Sequence, residues 1–316
     1  MHRAEPLARA DEHQHGGLAQ DAAGQEPPVF LLTVDVEDWF QVENFKPWIP
    51  FDSWGSRELR VVDNTLRLMD SLEALGGSQP VKITFFVLGW VAARCPELIR
   101  EMDARGHEVA SHGYNHQLVP TCADDELTED LVASRQCLED ILGKPVAGYR
   151  APSFSIEPRL IRILAECGYR YDASYNSYGG NARYGSFDDM PPPDRGVARL
   201  ANGLYELPVS NLSVAGRTVP WGGGGFFRLI PKGLYIRGVK AEAARDGVFH
   251  FYLHPWEIDP HQPRVRQASP MFKFRHYLNL GHCLAKLTYL LKRLDGFVFS
   301  TCSEHLGKVT NDSIEG

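Results

Sequence analysis

The sequence predicts an α/β fold in which a largely parallel sheet wraps into a distorted (β/α) barrel. Short apolar runs alternate with helical segments of roughly ten to twenty residues, as strands and crossover helices do in a parallel sheet. The large number of such units favours a barrel over an open sheet. Several apolar runs also end abruptly in polar residues, and in barrels of this kind active sites gather at the C-terminal ends of the strands.

The composition fits one large domain and argues against some classes of partner. The chain has 316 residues, of which 43% are hydrophobic and 11% aromatic, enough for a sizeable core. Its formal charge is −7 and no run is rich in Lys or Arg, so we expect no nucleic-acid partner. No stretch approaches a membrane-spanning length, and the N-terminus lacks the apolar core of a signal peptide. We therefore expect no integral membrane segment and a cytoplasmic location.

The elements predicted from periodicity and capping alternate regularly up to residue 174. Strands are predicted at 29–35, 81–92 (ending in a turn), 107–112, 145–153 and 170–174. Helices are predicted at 64–77, 96–106, 126–144 and 159–169.

The second half of the chain begins with a Pro- and Gly-rich loop at 179–203. Apolar runs at 204–210 and 248–258 then lead into polar residues, followed by a helix at 284–294 and a strand at 297–301. The glycine stretch 221–227 is not a phosphate loop, because no Gly-Lys-Ser/Thr follows it. Its glycines are expected to permit a mobile loop or a close approach of the backbone to a ligand.

Polar clusters follow four of the apolar runs, at 35–38, 111–116, 149–153 and 252–256. In a barrel all four would face one mouth. The first cluster contains Asp35, Glu37 and Asp38, which repel one another unless a cation lies among them or the segment faces solvent.

His112 and His116 are four residues apart, so on one helical turn both rings could share a metal ion. Two histidines and one carboxylate form a common catalytic ligand set with open positions for water and substrate. In an extended segment Asp35 and Glu37 point to the same side. This favours Glu37 as the carboxylate ligand, with Asp38 as the alternative.

Three further residues could take part in the chemistry. Arg150 could hold a carboxylate in one orientation, or form a structural salt bridge. His254, at a strand end, suits a general acid because its pKa lies near neutrality. Asp172 could orient and charge that histidine.

Taken together, the motifs resemble those of the metal-dependent polysaccharide deacetylases of carbohydrate esterase family four, the NodB-like homology domain. Five motifs match in order: TVDVED (33–38), SHGYNH (111–116), YRAPS (149–153), YDAS (171–174) and YLH (252–254). The downstream glycine stretch and the C-terminal helix and strand are similar to the branch found beside exosortase-linked exopolysaccharide loci. The usual adjacent Asp-Asp of the first motif is Asp-Val-Glu-Asp here, which leaves the ligand open between Glu37 and Asp38.

The resemblance implies an enzyme that removes N-acetyl groups from amino sugars of an oligo- or polysaccharide during exopolysaccharide biosynthesis. It implies a divalent metal, zinc first, with cobalt, nickel or manganese as alternatives. The implied roles are Asp35 as general base, Glu37 or Asp38 with His112 and His116 as ligands, His254 as general acid, Arg150 holding Asp35, Asp172 tuning His254, and the backbone N–H of Ser153 stabilising the oxyanion.

The domain boundaries predicted with this resemblance are a disordered leader at 1–27, a catalytic domain at 28–306 and a tail at 307–316. The domain includes a helix-strand extension from about residue 265.

Other functions share these motifs. A cyclic amide hydrolase such as an allantoinase, or a sugar deformylase, fits the same fold and metal. An inactive carbohydrate-binding protein is disfavoured because base, ligands and acid are all present. Without a Lys/Arg cluster near the motifs a nucleotide-linked sugar is also disfavoured, whereas aromatic residues suit sugar rings. The candidate sugar-contacting aromatics are Trp39, Phe40, Tyr175, Trp221, Phe226, Phe227 and Trp256.

Overall fold

The computed structural model describes residues 26–76, 80–186 and 190–311. Most of the predicted leader and the last residues of the predicted tail lie outside these ranges. The last described helix, Cys302–Thr310, runs across the predicted boundary at residue 306. In the described part of the chain no helix is long and apolar enough to cross a membrane.

Nine strands of the described residues form one sheet, and two more form a separate hairpin. The sheet order is β10-β1-β2-β3-β4-β5-β7-β6, with β11 also paired to β1, and every pairing is parallel except that of β6 with β7. The strands are β1 Val29–Val36, β2 Ile83–Val87, β3 Glu108–Ser111, β4 Gly148–Tyr149, β5 Tyr171–Asp172, β6 Ala198–Arg199, β7 Tyr205–Glu206, β8 Asn211–Val214, β9 Arg217–Pro220, β10 Val248–Leu253 and β11 Val298–Phe299.

The helices alternate with these strands through β5 as the sequence predicts, except that α2 begins at Gly89, where a turn is predicted. They are α1 Val61–Glu73, α2 Gly89–Arg94, α3 Pro96–Ala104, α4 Asp124–Leu142, α5 Pro158–Glu166, α6 Gly224–Leu229, α7 Lys232–Asp246, α8 Pro270–Tyr277, α9 Leu280–Leu291 and α10 Cys302–Thr310. Helix α7 is not among the predicted helices, and its buried face includes Gly238, Glu242 and Ala243. Such a face gives almost no apolar periodicity, so the pattern that predicts a helix is weak there.

The sheet curls into a half-barrel, which confirms the predicted fold class. The segment after β7 bridges the opening, because Val209 N–H donates to Tyr175 O and Ser210 N–H donates to His250 O of β10. Apolar side chains such as Leu31 and Phe86 fill the interior, and Cys302 and Leu306 of α10 pack against the same cluster.

Strand alternation decides which side chains face the interior. In β1, Leu32 and Val34 belong to the outer core against the helices, so Thr33 and Asp35 face inward. In β3, Ala110 belongs to the interior cluster, which places His112 on the same side two residues later. The polar ends of neighbouring strands therefore meet at one edge of the curled sheet.

Three residues of the glycine stretch pack closely against β10 and the residues beside it. A Cβ on Gly222 would collide with the carbonyl oxygens of Ser210 and His250, and one on Gly223 with the ring of Tyr252. A Cβ on Gly224 would overlap the carboxylate of Glu257. The glycines thus let the start of α6 pack against β10 and the residues that follow it.

Candidate active site

Asp35 and Arg150 form a buried ion pair at the C-terminal end of the sheet. Nη1 of Arg150 donates to Oδ1 of Asp35 over 2.7 Å, and the guanidinium is fully buried. The same nitrogen donates to Thr33 Oγ1, and Nε donates to Ala173 O. These hydrogen bonds hold the guanidinium and the carboxylate of Asp35 in one mutual orientation.

The guanidinium has a further partner that is not among the predicted site residues. Nη2 of Arg150 lies 2.8 Å from Nε2 of His250 in β10. Burial and the charge of Arg150 lower the pKa of His250 well below its ordinary value, so the neutral ring accepts this hydrogen bond. Alternation along β10 could have indicated His250, because it shares a strand face with His254.

His112 and His116 lie together, but not on a helical turn. Gly113 has φ +74° and His116 φ +54°, so the segment between them is a tight loop. The carboxylate of Asp130 in α4 holds this loop by accepting the N–H groups of Tyr114 and Asn115. The two imidazole centroids are 5.6 Å apart.

Both histidines are in the form that binds metal ions. Burial lowers the pKa of His116 to about 4 and also lowers that of His112, so both rings are neutral at pH 7. Nδ1 of His112 is 2.8 Å from Arg150 O, and the N–H it donates there leaves the lone pair on Nε2.

Glu37 follows β1 directly and lies between two imidazoles. Its Oε1 is 3.0 Å from Nε2 of His254, and its Oε2 is 3.2 Å from Nε2 of His116. Burial raises the pKa of Glu37, but the two neighbouring histidines outweigh burial and lower that pKa to about 2. The carboxylate is therefore ionised at neutral pH.

Asp38 points elsewhere and caps a helix. Its carboxylate accepts the backbone N–H of Trp39 at 2.8 Å, of Arg60 at 2.7 Å and of Val61, the first residue of α1, at 2.9 Å. Burial raises the pKa of Asp38 to about 6, against the effect of these hydrogen bonds. Of the two candidate acids, Glu37 is the one beside the histidines.

The side chains of Glu37, His112 and His116 suit a divalent ion by their chemistry, although they are not spaced as the ligands of a complete metal site are. Among the described residues no three His, Cys, Asp or Glu side chains are arranged as a metal-binding group. Oε2 of Glu37 is nevertheless buried without a hydrogen bond to any described residue, while it faces the neutral His116. A buried, ionised oxygen beside neutral imidazoles is the chemistry that Zn²⁺ prefers.

His254 follows β10 and has a carboxylate on each side. Its Nε2 lies 3.0 Å from Oε1 of Glu37 and 3.8 Å from Oδ2 of Asp35, while its Nδ1 lies 2.9 Å from Oε1 of Glu257. Burial lowers the pKa of His254, but the carboxylates of Glu37 and Glu257 outweigh burial and raise this pKa well above its ordinary value. The ring can therefore hold a proton at neutral pH, as a general acid must.

The carboxylate on His254 is that of Glu257, not of Asp172. Asp172 is paired in register with Glu206 across β5 and β7, and it accepts hydrogen bonds from Ala173 N–H and Ser174 Oγ. Because Tyr171 points into the barrel, its neighbour Asp172 points to the outer face. Burial raises the pKa of Asp172 to about 6 and that of Glu206 well above its ordinary value.

A cleft of about 230 Å³ lies over these groups. Ser153, which has φ +53°, lines it together with Trp256 and Phe226. Contrary to expectation, arginines also line it: Arg183, Arg228 and Arg275. Most of the other candidate sugar-contacting aromatics pack in the core instead: Trp39, Phe40, Trp221 and Phe227 are buried.

Two family models match the chain in succession. The polysaccharide deacetylase model matches residues 51–171, and the domain of unknown function DUF3473 matches residues 173–306. The first match contains His112, His116 and Arg150, whereas His254 lies in the second.

Individual relatives cover shorter stretches. A peptidoglycan-N-acetylglucosamine deacetylase of Bacillus cereus is 28% identical over 87 residues, which are 28% of this chain and 40% of that protein. A chitooligosaccharide deacetylase of a Bradyrhizobium species is 31% identical over 100 residues, 25% of this chain and 46% of that protein. The chain thus spans less than half the length of these relatives.

One solved structure superposes on nearly the whole chain. A Mycobacterium smegmatis protein assigned as a polysaccharide deacetylase superposes with a TM-score of 0.57 at 20% identity, covering 93% of this chain and 94% of that one. At this identity the likeness concerns the fold. The chain thus carries a polysaccharide deacetylase domain at residues 51–171, followed by a DUF3473 domain at residues 173–306.

Proposed function

We propose that the protein is a metal-dependent hydrolase that removes N-acetyl groups from amino sugars of an oligo- or polysaccharide. One observation carries the proposal: a carboxylate held by Arg150, a second carboxylate beside two neutral histidines, and a protonated histidine converge within one cleft. The named activities of the relatives support an amide bond as the target.

In this proposal Asp35 accepts a proton from the attacking water, because Arg150 holds its carboxylate toward the cleft. His254 donates a proton to the leaving amine from Nε2, which lies on the Asp35 and Glu37 side of the ring. The backbone N–H of Ser153, a residue that lines the cleft, would stabilise the oxyanion.

Glu37, His112 and His116 would hold the metal. When bound, a divalent ion, zinc first, would polarise the amide carbonyl and activate water. The placement of Asp38 on three backbone N–H groups supports Glu37 as the carboxylate ligand. The DUF3473 match supports the exosortase-associated branch, and hence a role in exopolysaccharide biosynthesis.

Acetate release tests the proposal. The protein, loaded with Zn²⁺, is incubated with chitooligosaccharides, with an N-acetylglucosamine-containing exopolysaccharide, with UDP-N-acetylglucosamine and with allantoin. We expect acetate from at least one glycan and none after His116→Ala, which should also lose the metal by elemental analysis. Turnover of allantoin or of the nucleotide sugar, with no acetate from any glycan, contradicts the substrate class. A His116→Ala variant with full metal content contradicts the ligand set.

A further inference from the structure

The ring of His254 is fixed from two directions by its surroundings. Oε1 of Glu257 is 2.9 Å from Nδ1 of His254 and 3.2 Å from its backbone nitrogen. The ring also stacks on Trp256, with centroids 5.0 Å apart and planes 21° from parallel. Both contacts leave Nε2 directed toward Asp35 and Glu37.

Glu257 is in turn held rigidly. It is 1% exposed, and its second oxygen, Oε2, accepts a hydrogen bond from Nε of Arg228 in α6 over 2.7 Å. Gly224, at the start of the same helix, lies so close to the carboxylate that no side chain fits there. The carboxylate therefore has one position available.

Arg228 is anchored by the backbone around α8. Its Nη1 donates to the carbonyl oxygens of His276, over 2.9 Å, and Leu278, and its Nη2 donates to that of Arg275 over 3.1 Å. The guanidinium is buried, so these bonds are made away from bulk water. A continuous chain of hydrogen bonds thus leads from α8 through α6 to the histidine.

We propose that Glu257 is the positioning residue of His254, and that the DUF3473 region supplies this function through Arg228 and Gly224. A carboxylate on Nδ1 keeps the proton there, fixes the ring's orientation and leaves Nε2 as the working nitrogen. The inference rests on the proposed role of His254 as general acid. In this proposal the DUF3473 region supplies both His254 and the residues that hold its ring in place.

The kinetic test replaces Glu257 by Gln, which keeps the size of the side chain and removes its charge. In the full-length, Zn²⁺-loaded protein we expect kcat for acetate release to fall roughly 10- to 100-fold while KM changes by less than about threefold. Glu242→Gln is the matched control: Glu242 is also a buried glutamate paired with an arginine, Arg245, but it lies on α7 away from the cleft. Its kcat should stay at the wild-type value.

A purely structural role predicts a different result, in which Glu257→Gln lowers the melting temperature but leaves kcat unchanged. That outcome overturns the proposal. If the wild type itself releases no acetate, the proposed function fails. The pairing of Glu257 with His254 is then tested by a measurement that does not require activity.

That readout is the Nδ1–H proton resonance of His254. A charge-assisted hydrogen bond to Glu257 should shift it downfield and slow its exchange in the wild type, and Glu257→Gln should move it upfield. A wild-type spectrum without such a resonance overturns the pairing even if the variant does not fold. An unchanged resonance in Glu257→Gln overturns it as well.

Discussion

Replacing Arg150 by Met should destabilise the protein strongly, because the buried carboxylate of Asp35 then keeps only the more distant His254, 3.8 Å away, as a cationic neighbour. Three other acceptors also lose a donor: Thr33 Oγ1, Ala173 O and His250 Nε2. Removing one partner of a buried ion pair costs about 3–5 kcal/mol, and the extra unsatisfied acceptors place this case in the upper part of that range.

A double-mutant cycle with Asp35→Asn separates the pair from the other contacts. Asp35→Asn removes the charge of the side chain but keeps its size. The double variant Asp35→Asn/Arg150→Met should therefore lose about 2–3 kcal/mol less unfolding free energy than the two single variants lose together. Arg162→Met is the control, since Arg162 makes exposed ion pairs with Glu166 and Asp124 and its loss should cost less than about 1 kcal/mol.

The measurement is urea unfolding of the metal-free proteins at pH 7.5, followed by tryptophan fluorescence and circular dichroism. Free energies are compared where the two probes give coincident transitions. A loss below about 1 kcal/mol for Arg150→Met, or additive losses in the cycle, would show that the ion pair does not organise the site.

Three further outcomes are expected. Asp38→Ala should retain the metal but lose about 2–4 kcal/mol of stability, because three backbone N–H groups lose their acceptor, whereas Glu37→Gln should lose the metal. Elemental analysis measures the metal content and urea unfolding measures the stability. Loss of metal from folded Asp38→Ala would reverse the ligand assignment. His254→Ala should keep the metal while kcat falls about 10²–10⁴-fold, and an unchanged kcat per bound ion would exclude its role in proton transfer. The raised pKa values of Asp172 and Glu206 mean that the folded state holds protons that the unfolded state has released, so the pair's contribution to stability falls as pH rises above about 4. Glu206→Gln should therefore gain stability relative to the wild type between pH 5.5 and pH 8, by at most about 1.4 kcal/mol per pH unit, and a difference that does not depend on pH would contradict this titration.

The sequence alone determined the repeated strand-helix pattern and the polar residues at the strand ends. These are local signals, because apolar runs, helical periodicity and helix caps depend on residues that are close together in the sequence. Helices such as α4 and α5 lie close to their predicted ranges for this reason. The short hairpin of β8 and β9 and the weakly amphipathic α7 gave no comparable signal and were missed.

Which of the candidate groups meet depends on contacts between segments that are distant in the chain. Glu37 and Asp38 are adjacent in sequence, yet one lies between His116 and His254 and the other caps α1, because the chain turns as soon as β1 ends. Asp172 lies in a motif beside the cleft but points outward, since side chains alternate along a strand. Its expected place on His254 is taken by Glu257, which is fixed by Arg228 from a helix 29 residues earlier in the chain. Such pairings arise from contacts between distant segments, and no local pattern in the sequence encodes them.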